Sequence, residues 1–237
     1  MVGVHDFINK LRESFGEIEL PIAVGYSEQP MAEVRKRGHC IMASMKRVRQ
    51  GDVVSFSRDT IDCNGGSIYT GYGELNERVP HFVSQIEKYK CTPEAVAAAI
   101  TAMQIPPAPA PYLNFARIDQ IESLDDMEGI FFYATPDVLA GLVNWAFFDN
   151  TWDDAVKTVW GSGCNSTVTN LLTENRRGGH SCYLGMFDIS VRPMVGRNEL
   201  TFAIPMSRLE QMTDTMDKCF FNGSKAWERV KKRIMAT

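Results

Sequence analysis

The sequence predicts an α/β or α+β fold in which a mixed sheet is flanked by helices. Three observations carry this expectation. Short apolar runs of strand length, such as 129–134 and 199–204, alternate along the chain with stretches of helical period. Several helical stretches open on capping signals, Thr92-Pro93-Glu94 and Thr135-Pro136-Asp137 among them. The chain has 237 residues, 44% of them hydrophobic and 23% charged, enough to bury one large core without disulfide staples.

The elements follow in order. Val4, Phe7, Ile8 and Leu11 fall on one face at helical spacing, so the chain opens on a short amphipathic helix. A strand follows within 18–28, then a polar loop and a helix over about 40–50. Residues 52–63 alternate apolar and polar and read as a strand, and 64–73 is glycine-rich and reads as turn. Helices are expected over 78–90 and 92–104. The segment 105–111, IPPAPAP, can sit in neither a helix nor a central strand. It either joins two halves, 1–104 and 112–237, or runs extended along a surface. Beyond it come strands at 112–119 and 129–134 and a helix at 135–148. A further coiling stretch starts at Cys164, and a strand at 199–204 precedes helices at 205–221 and 223–235. Two Ala-x-Pro strand-to-helix junctions, and two cysteines that each begin a helix-like stretch, hint at an old duplication inside a single domain.

Charge and hydropathy exclude some functions. The net charge is −4, which offers no overall basic face for nucleic acid. The short basic runs 46–49, 176–177 and 229–233 read as solvated helix faces. No stretch approaches the ~20 apolar residues of a membrane span. The first residues lack the basic front and apolar run of a signal peptide, so a cytoplasmic protein is expected. In that reducing setting the six cysteines are thiols or ligands rather than disulfides. A homo-oligomer is compatible with the sequence.

Chemistry centres on Cys40, Cys63, Cys164 and Cys182. A thiolate at a helix N-terminus is stabilised by unpaired N–H groups and the helix dipole, which suits Cys40 and Cys164 to a reactive or ligating role. His39, and the Asn165-Ser166-Thr167 run, stand ready to add hydrogen bonds. Cys63 precedes Gly65 and Gly66, whose backbone can approach a sulfur or an anion. Four thiolates would satisfy a tetrahedral zinc or an iron–sulfur cluster. The spacing does not announce either, since no C-x-x-C occurs. Cysteine is also a small hydrophobe, often buried and inert. A Cys-dependent enzyme is a third possibility, with His180 as base for Cys164 or Cys40. His5 and His81 read as surface residues, and Cys91 and Cys219 receive no role. Arg192 and Arg197 place cations where a ligand carboxylate or phosphate would need them. A small-molecule binding module for an anionic or apolar ligand, with cysteines that merely pack, is therefore the alternative to a redox or metal protein. Twelve methionines and thirteen phenylalanines would suit such a pocket.

The blocks LPIAVGY, DCNGGSIYTGYGE, GIFFYATPDVLAGLV and CYLGMFDISVRP…ELTFAIPMSRL, with Cys40 between the first two, resemble in their order the domain-of-unknown-function family 169, an uncharacterised prokaryotic family. The resemblance runs from about Leu20 to Leu209. It implies a single cytoplasmic α/β-type domain, with cysteines at places like Cys40, Cys63 and Cys182, and supplies no mechanism.

Overall fold

The computed structural model describes residues 3–34 and 40–236. The first helix, α1 (Val4–Phe15), buries Val4, Phe7, Ile8 and Leu11, the face its spacing predicts. Then come β1 (Ile22–Ser27), α2 (Ile41–Arg49), β2 (Val54–Ser57) and α3 (Asn64–Tyr69). Next are α4 (Arg78–His81), α5 (Pro93–Ala102), β3 (Tyr112–Arg117) and β4 (Gly129–Ala134). The second part of the chain forms α6 (Pro136–Phe147), β5 (Val156–Lys157), α7 (Asn170–Arg176), β6 (Cys182–Gly185), β7 (Leu200–Pro205), α8 (Met206–Thr215) and α9 (Lys225–Ile234).

The seven strands of the described residues join one sheet, in the order β2-β3-β1-β4-β7-β6-β5. It is mixed: β5 pairs with β6 in parallel and the other pairs are antiparallel. The expected α/β architecture is therefore present. β3, which lies beyond the proline-rich segment, inserts between β1 and β2. This interleaving lends the expected duplication no support. The proline-rich segment lies against the turn after α3, where the Ala108 N–H donates to the Gly71 carbonyl at 2.9 Å. Gly71 has φ +74°, and a β-carbon there would lie 2.4 Å from the Pro106 oxygen. Only glycine permits that approach.

Two cores cover the two faces of the sheet, and strand parity sorts residues between them. Along β4, Ile130, Phe132 and Ala134 pack with α1, α6, α8 and Trp227 of α9. Phe131 and Tyr133 face the other way, toward α2, α3, α5 and α7. The site described below lies on this second face.

Three local differences from the sequence expectations bear on that site. Residues 64–69 are helical rather than turn, because Cys63 caps them: its sulfur accepts the Gly66 N–H at 3.3 Å. The helix expected over 78–90 is cut short, passing from α4 into a π-helical turn at Phe82–Ile86. Residues 182–185, for which no strand was expected, form β6. Among the described residues no helix is long and apolar enough to cross a membrane.

A sulfur-lined cavity as candidate functional site

On the second face of the sheet the helix starts of α2 and α3 meet two loops, 159–163 and 186–194, around a cavity of about 860 Å³. Six of its lining residues carry sulfur: Cys40, Met42, Cys63, Cys164, Met186 and Met194. Cys40 is the N-cap of α2 and is half-buried, and Cys63 is the N-cap of α3 and is exposed. Cys164, Met42 and Met186 are buried and form the inner end. Aromatic and aliphatic side chains ring the mouth. Phe82, Trp160, Phe187, Ile189 and Met194 all line it while remaining substantially exposed. Large apolar side chains gathered in the open around one hollow are characteristic of a binding surface.

The backbone around the cavity departs from regular structure in two ways. Both π-helical turns of the described residues touch it, one through Phe82 and Val83, the other at Asn165–Thr169 directly after Cys164. Such turns recur at functional sites because they displace side chains that a plain α-helix would align. In the second turn Thr167 Oγ1 donates to the Gly163 carbonyl at 2.8 Å and reaches Met42 Sδ at 3.6 Å. Met186, where β6 ends, adopts φ +67°. That left-handed conformation is uncommon for a residue with a β-carbon and is held only by its surroundings. Its N–H points at Ser166 Oγ, 3.4 Å away.

Among the polar side chains in the wall are Asp62, Asn64, Arg78, Asp188 and three serines. Asp188 accepts from the N–H of Gly163 at 3.3 Å and from the Ser190 N–H and hydroxyl at 2.9 and 2.7 Å, which ties the two mouth loops together. Tyr69 is kept protonated, chiefly by burial and then by the negative charge of Asp188. Arg78 projects from the start of α4 into the lining, and its guanidinium makes no ion pair or hydrogen bond among the described residues. Lys90 stacks its ammonium 4.2 Å from the Trp160 ring centroid at the same rim.

The cysteines expected to converge do so only in part. Cys40, Cys63 and Cys164 share the cavity, and Gly65 and Gly66 line it with them. Cys182 does not reach it. The first residue of β6 points to the opposite face, where Cys182 is fully buried with its sulfur 3.9 Å from Met212 Sδ. Period-two alternation along β6 gives Tyr183 and Gly185, not Cys182, to the cavity side. Cys164 does stand at the front of a helical stretch, as expected. It lies inside a helical turn that begins at Gly163, and burial, reinforced by the neighbouring Cys40, Cys63 and Asp188, raises its thiol far above the ordinary range. That burial opposes the ionisation expected from the helix dipole. Among the described residues, no three His, Cys, Asp or Glu side chains are grouped tightly enough to hold one metal ion.

The remaining expected residues lie elsewhere. His180 lies away from all three cavity thiols: its Nε2 is 2.9 Å from Asp154 Oδ1 and its ring stacks 3.8 Å from Trp152. Arg192 is turned inward on its own loop, donating to the carbonyls of Glu199, Gly196 and Arg197. Arg197 is exposed and outside the lining. His39 lies outside the described residues. Sequence reasoning passed over Arg78, Trp160, Met186 and Asp188. A signal was present in VWGSG and MFDIS, where large apolar residues sit among glycine, serine and aspartate in stretches too short to be core elements.

The model of the domain-of-unknown-function family 169, described as uncharacterised ArCR, matches residues 10–215, which include every residue lining the cavity. No curated protein and no solved structure matches the chain.

Proposed function

The chain belongs to the domain-of-unknown-function family 169, and we propose that it is a small-molecule binding protein whose cavity takes up a mostly apolar compound bearing one anionic group. The observation that carries this reading is the cavity of about 860 Å³, apolar in most of its wall and bordered by Arg78, whose guanidinium has no partner among the described residues. Its size falls within the range of ligand pockets, which combine apolar walls with a few placed polar groups. Aromatic side chains at the mouth offer faces for a ring, and the Arg78 guanidinium offers a fork that matches a carboxylate or phosphate. The six cysteines, all unbridged, fit a reducing cytoplasmic setting for this role.

Thermal denaturation in the presence of paired probes tests it. Aryl-alkanoic acids of graded length are compared with the corresponding alcohols. The acids are expected to raise Tm more than the alcohols, since a ligand at 100 times its Kd stabilises by about 2.7 kcal/mol. Arg78→Gln is expected to weaken the acids about tenfold and leave the alcohols unchanged. A second variant fills the cavity. A β-carbon at Gly65 would meet nothing nearer than Cys63 Sγ at 3.8 Å, so Gly65→Phe has room to fold and should abolish binding of both series. Probes that bind Gly65→Phe as well as the native chain, or a panel in which no acid shifts Tm, would overturn the reading.

A further inference from the structure

We propose that the Tyr69 hydroxyl donates a hydrogen bond to a neutral oxygen of the ligand, a carbonyl in the simplest case, so that the compound taken up is an oxo acid rather than a plain acid. This rests on the reading of the cavity as a ligand site and adds a second polar anchor to it.

Placement is the first argument. Tyr69 closes α3, lines the cavity and is 5% exposed. It is held from behind: the Thr169 hydroxyl, in the π-helical turn after Cys164, donates to the Tyr69 carbonyl. The ring therefore meets a ligand from a fixed position, and little side-chain freedom is left for binding to remove.

The second argument compares the hydroxyls of the wall. Ser166 donates to the Gly163 carbonyl at 3.1 Å, Ser190 to Asp188 Oδ1 at 2.7 Å and Tyr89 to Glu87 Oε2 at 2.8 Å. Ser162 Oγ accepts the Asn165 N–H at 3.2 Å and interacts with the Cys164 thiol. Tyr69 differs. The Ser162 N–H approaches its oxygen, but its hydroxyl donates to no group among the described residues. Nor is that oxygen among the unpartnered polar atoms sealed inside the protein, so the hydroxyl faces the hollow. A buried tyrosine hydroxyl ordinarily has a partner, and here the partner for its proton has to come from the cavity. Approach of an amide to the oxygen also strengthens the O–H as a donor.

Charge selects the kind of acceptor. Asp188 is close enough to Tyr69 to reinforce the burial that keeps the phenol protonated. A ligand carboxylate at the same place would be repelled by Asp188 and poorly solvated by the apolar wall. The anionic group therefore belongs at Arg78, on the first residue of α4, and the atom that meets Tyr69 is uncharged. A carbonyl oxygen accepts a phenolic proton and brings no charge. A ligand that lacks such an oxygen covers the hydroxyl and strands its proton, which is how a site rejects an analogue missing one polar atom.

The test is isothermal titration calorimetry of the full chain with aryl-alkanoic acids and with oxo acids of the same length, the carbonyl placed at each chain position in turn. For native protein we expect one oxo position to bind about tenfold more tightly than its parent acid. In Tyr69→Phe, which removes only the hydroxyl, that advantage should disappear. Each comparison is made within one protein, so a variant that merely loosens the cavity weakens both acids and keeps the ratio. An oxo-acid advantage that survives in Tyr69→Phe would overturn the proposal. So would native protein that binds no oxo acid better than its parent, a result that needs no variant to fold. Parent acids that bind in either of those cases leave the cavity reading intact, whereas binding of neither kind of acid removes that reading and the oxo acid with it.

Discussion

What a cysteine can do here depends on which side of the sheet it occupies and how deeply. Burial pushes the Cys182 thiol up to about 12 and the Cys164 thiol well above its ordinary value. A thiol with a raised pKa holds its proton at neutral pH, and only the thiolate attacks an alkylating reagent. Cys63 and Cys91 are exposed and Cys40 half-exposed. In metal-free native protein at neutral pH, iodoacetamide is therefore expected to label Cys63, Cys91 and Cys40 within minutes and to leave Cys164, Cys182 and Cys219 unmodified until denaturant is added. Peptide mass spectrometry at timed intervals reads this directly, and early labelling of Cys164 would contradict its position. The place of Cys40 at the front of α2 was legible in the sequence, whereas Cys63 precedes a glycine-rich stretch that reads as turn. The fate of Cys182 was not legible. Its direction follows from the register of β6 against β7, where Tyr183 faces Ala203, and register is fixed by a partner strand that no local pattern names.

Elements meet at the cavity through one close approach. A β-carbon on Gly185 would lie 2.2 Å from Ser166 Cβ and 2.8 Å from Thr201 Oγ1. The π-helical turn after Cys164 can rest on β6 only because that position has no side chain. Gly185→Ala must therefore separate the two elements, and overpacking of this kind costs about 1–3 kcal/mol. We expect a lower urea midpoint and, because Cys164 and Met186 flank the contact, weaker ligand binding than the stability loss alone explains. A variant with native midpoint and native affinity would show that the approach is looser than described. At this scale the sequence was readable where a periodic pattern was long. α1, β3, β4, α5, α6, α8 and α9 fall inside their expected ranges, and β7 runs one residue beyond its own. It was unreadable where tertiary contacts override propensity. The two-residue β5 exists only by pairing with β6, and α3 forms across two adjacent glycines because a cysteine sulfur caps it. Neither fact has a local signature.

At the scale of the whole molecule, the core on the face away from the cavity contains one buried charge that ties α6 to α8. The Arg208 side chain is 1% exposed. It donates to Asp149 Oδ2 at 2.9 Å and to the Ala146 carbonyl at 3.0 Å, and its guanidinium lies 5.3 Å from the Trp152 ring centroid. Burial alone would raise the Asp149 carboxyl, but the hydrogen bonds and charge of Arg208 outweigh it and hold Asp149 below its ordinary value. A carboxylate with a depressed native pKa stabilises the fold above its unfolded pKa, near 3.9, and loses that contribution as pH falls through the native value. Removing one partner of a buried pair strands the other, at a cost of about 3–5 kcal/mol. Asp149→Asn should therefore lower stability by that amount at pH 7, where Asp149 is ionised in the native chain. The difference between native and variant should shrink as pH drops below 4, because the unfolded carboxyl takes up its proton first and the native one follows at lower pH. Urea midpoints for the two proteins at pH 7 and pH 3 decide the matter. A gap that stays the same at both values would mean that the ion pair does not hold α6 against α8, and that the apolar contacts of Trp145 and Met212 around it carry that junction alone.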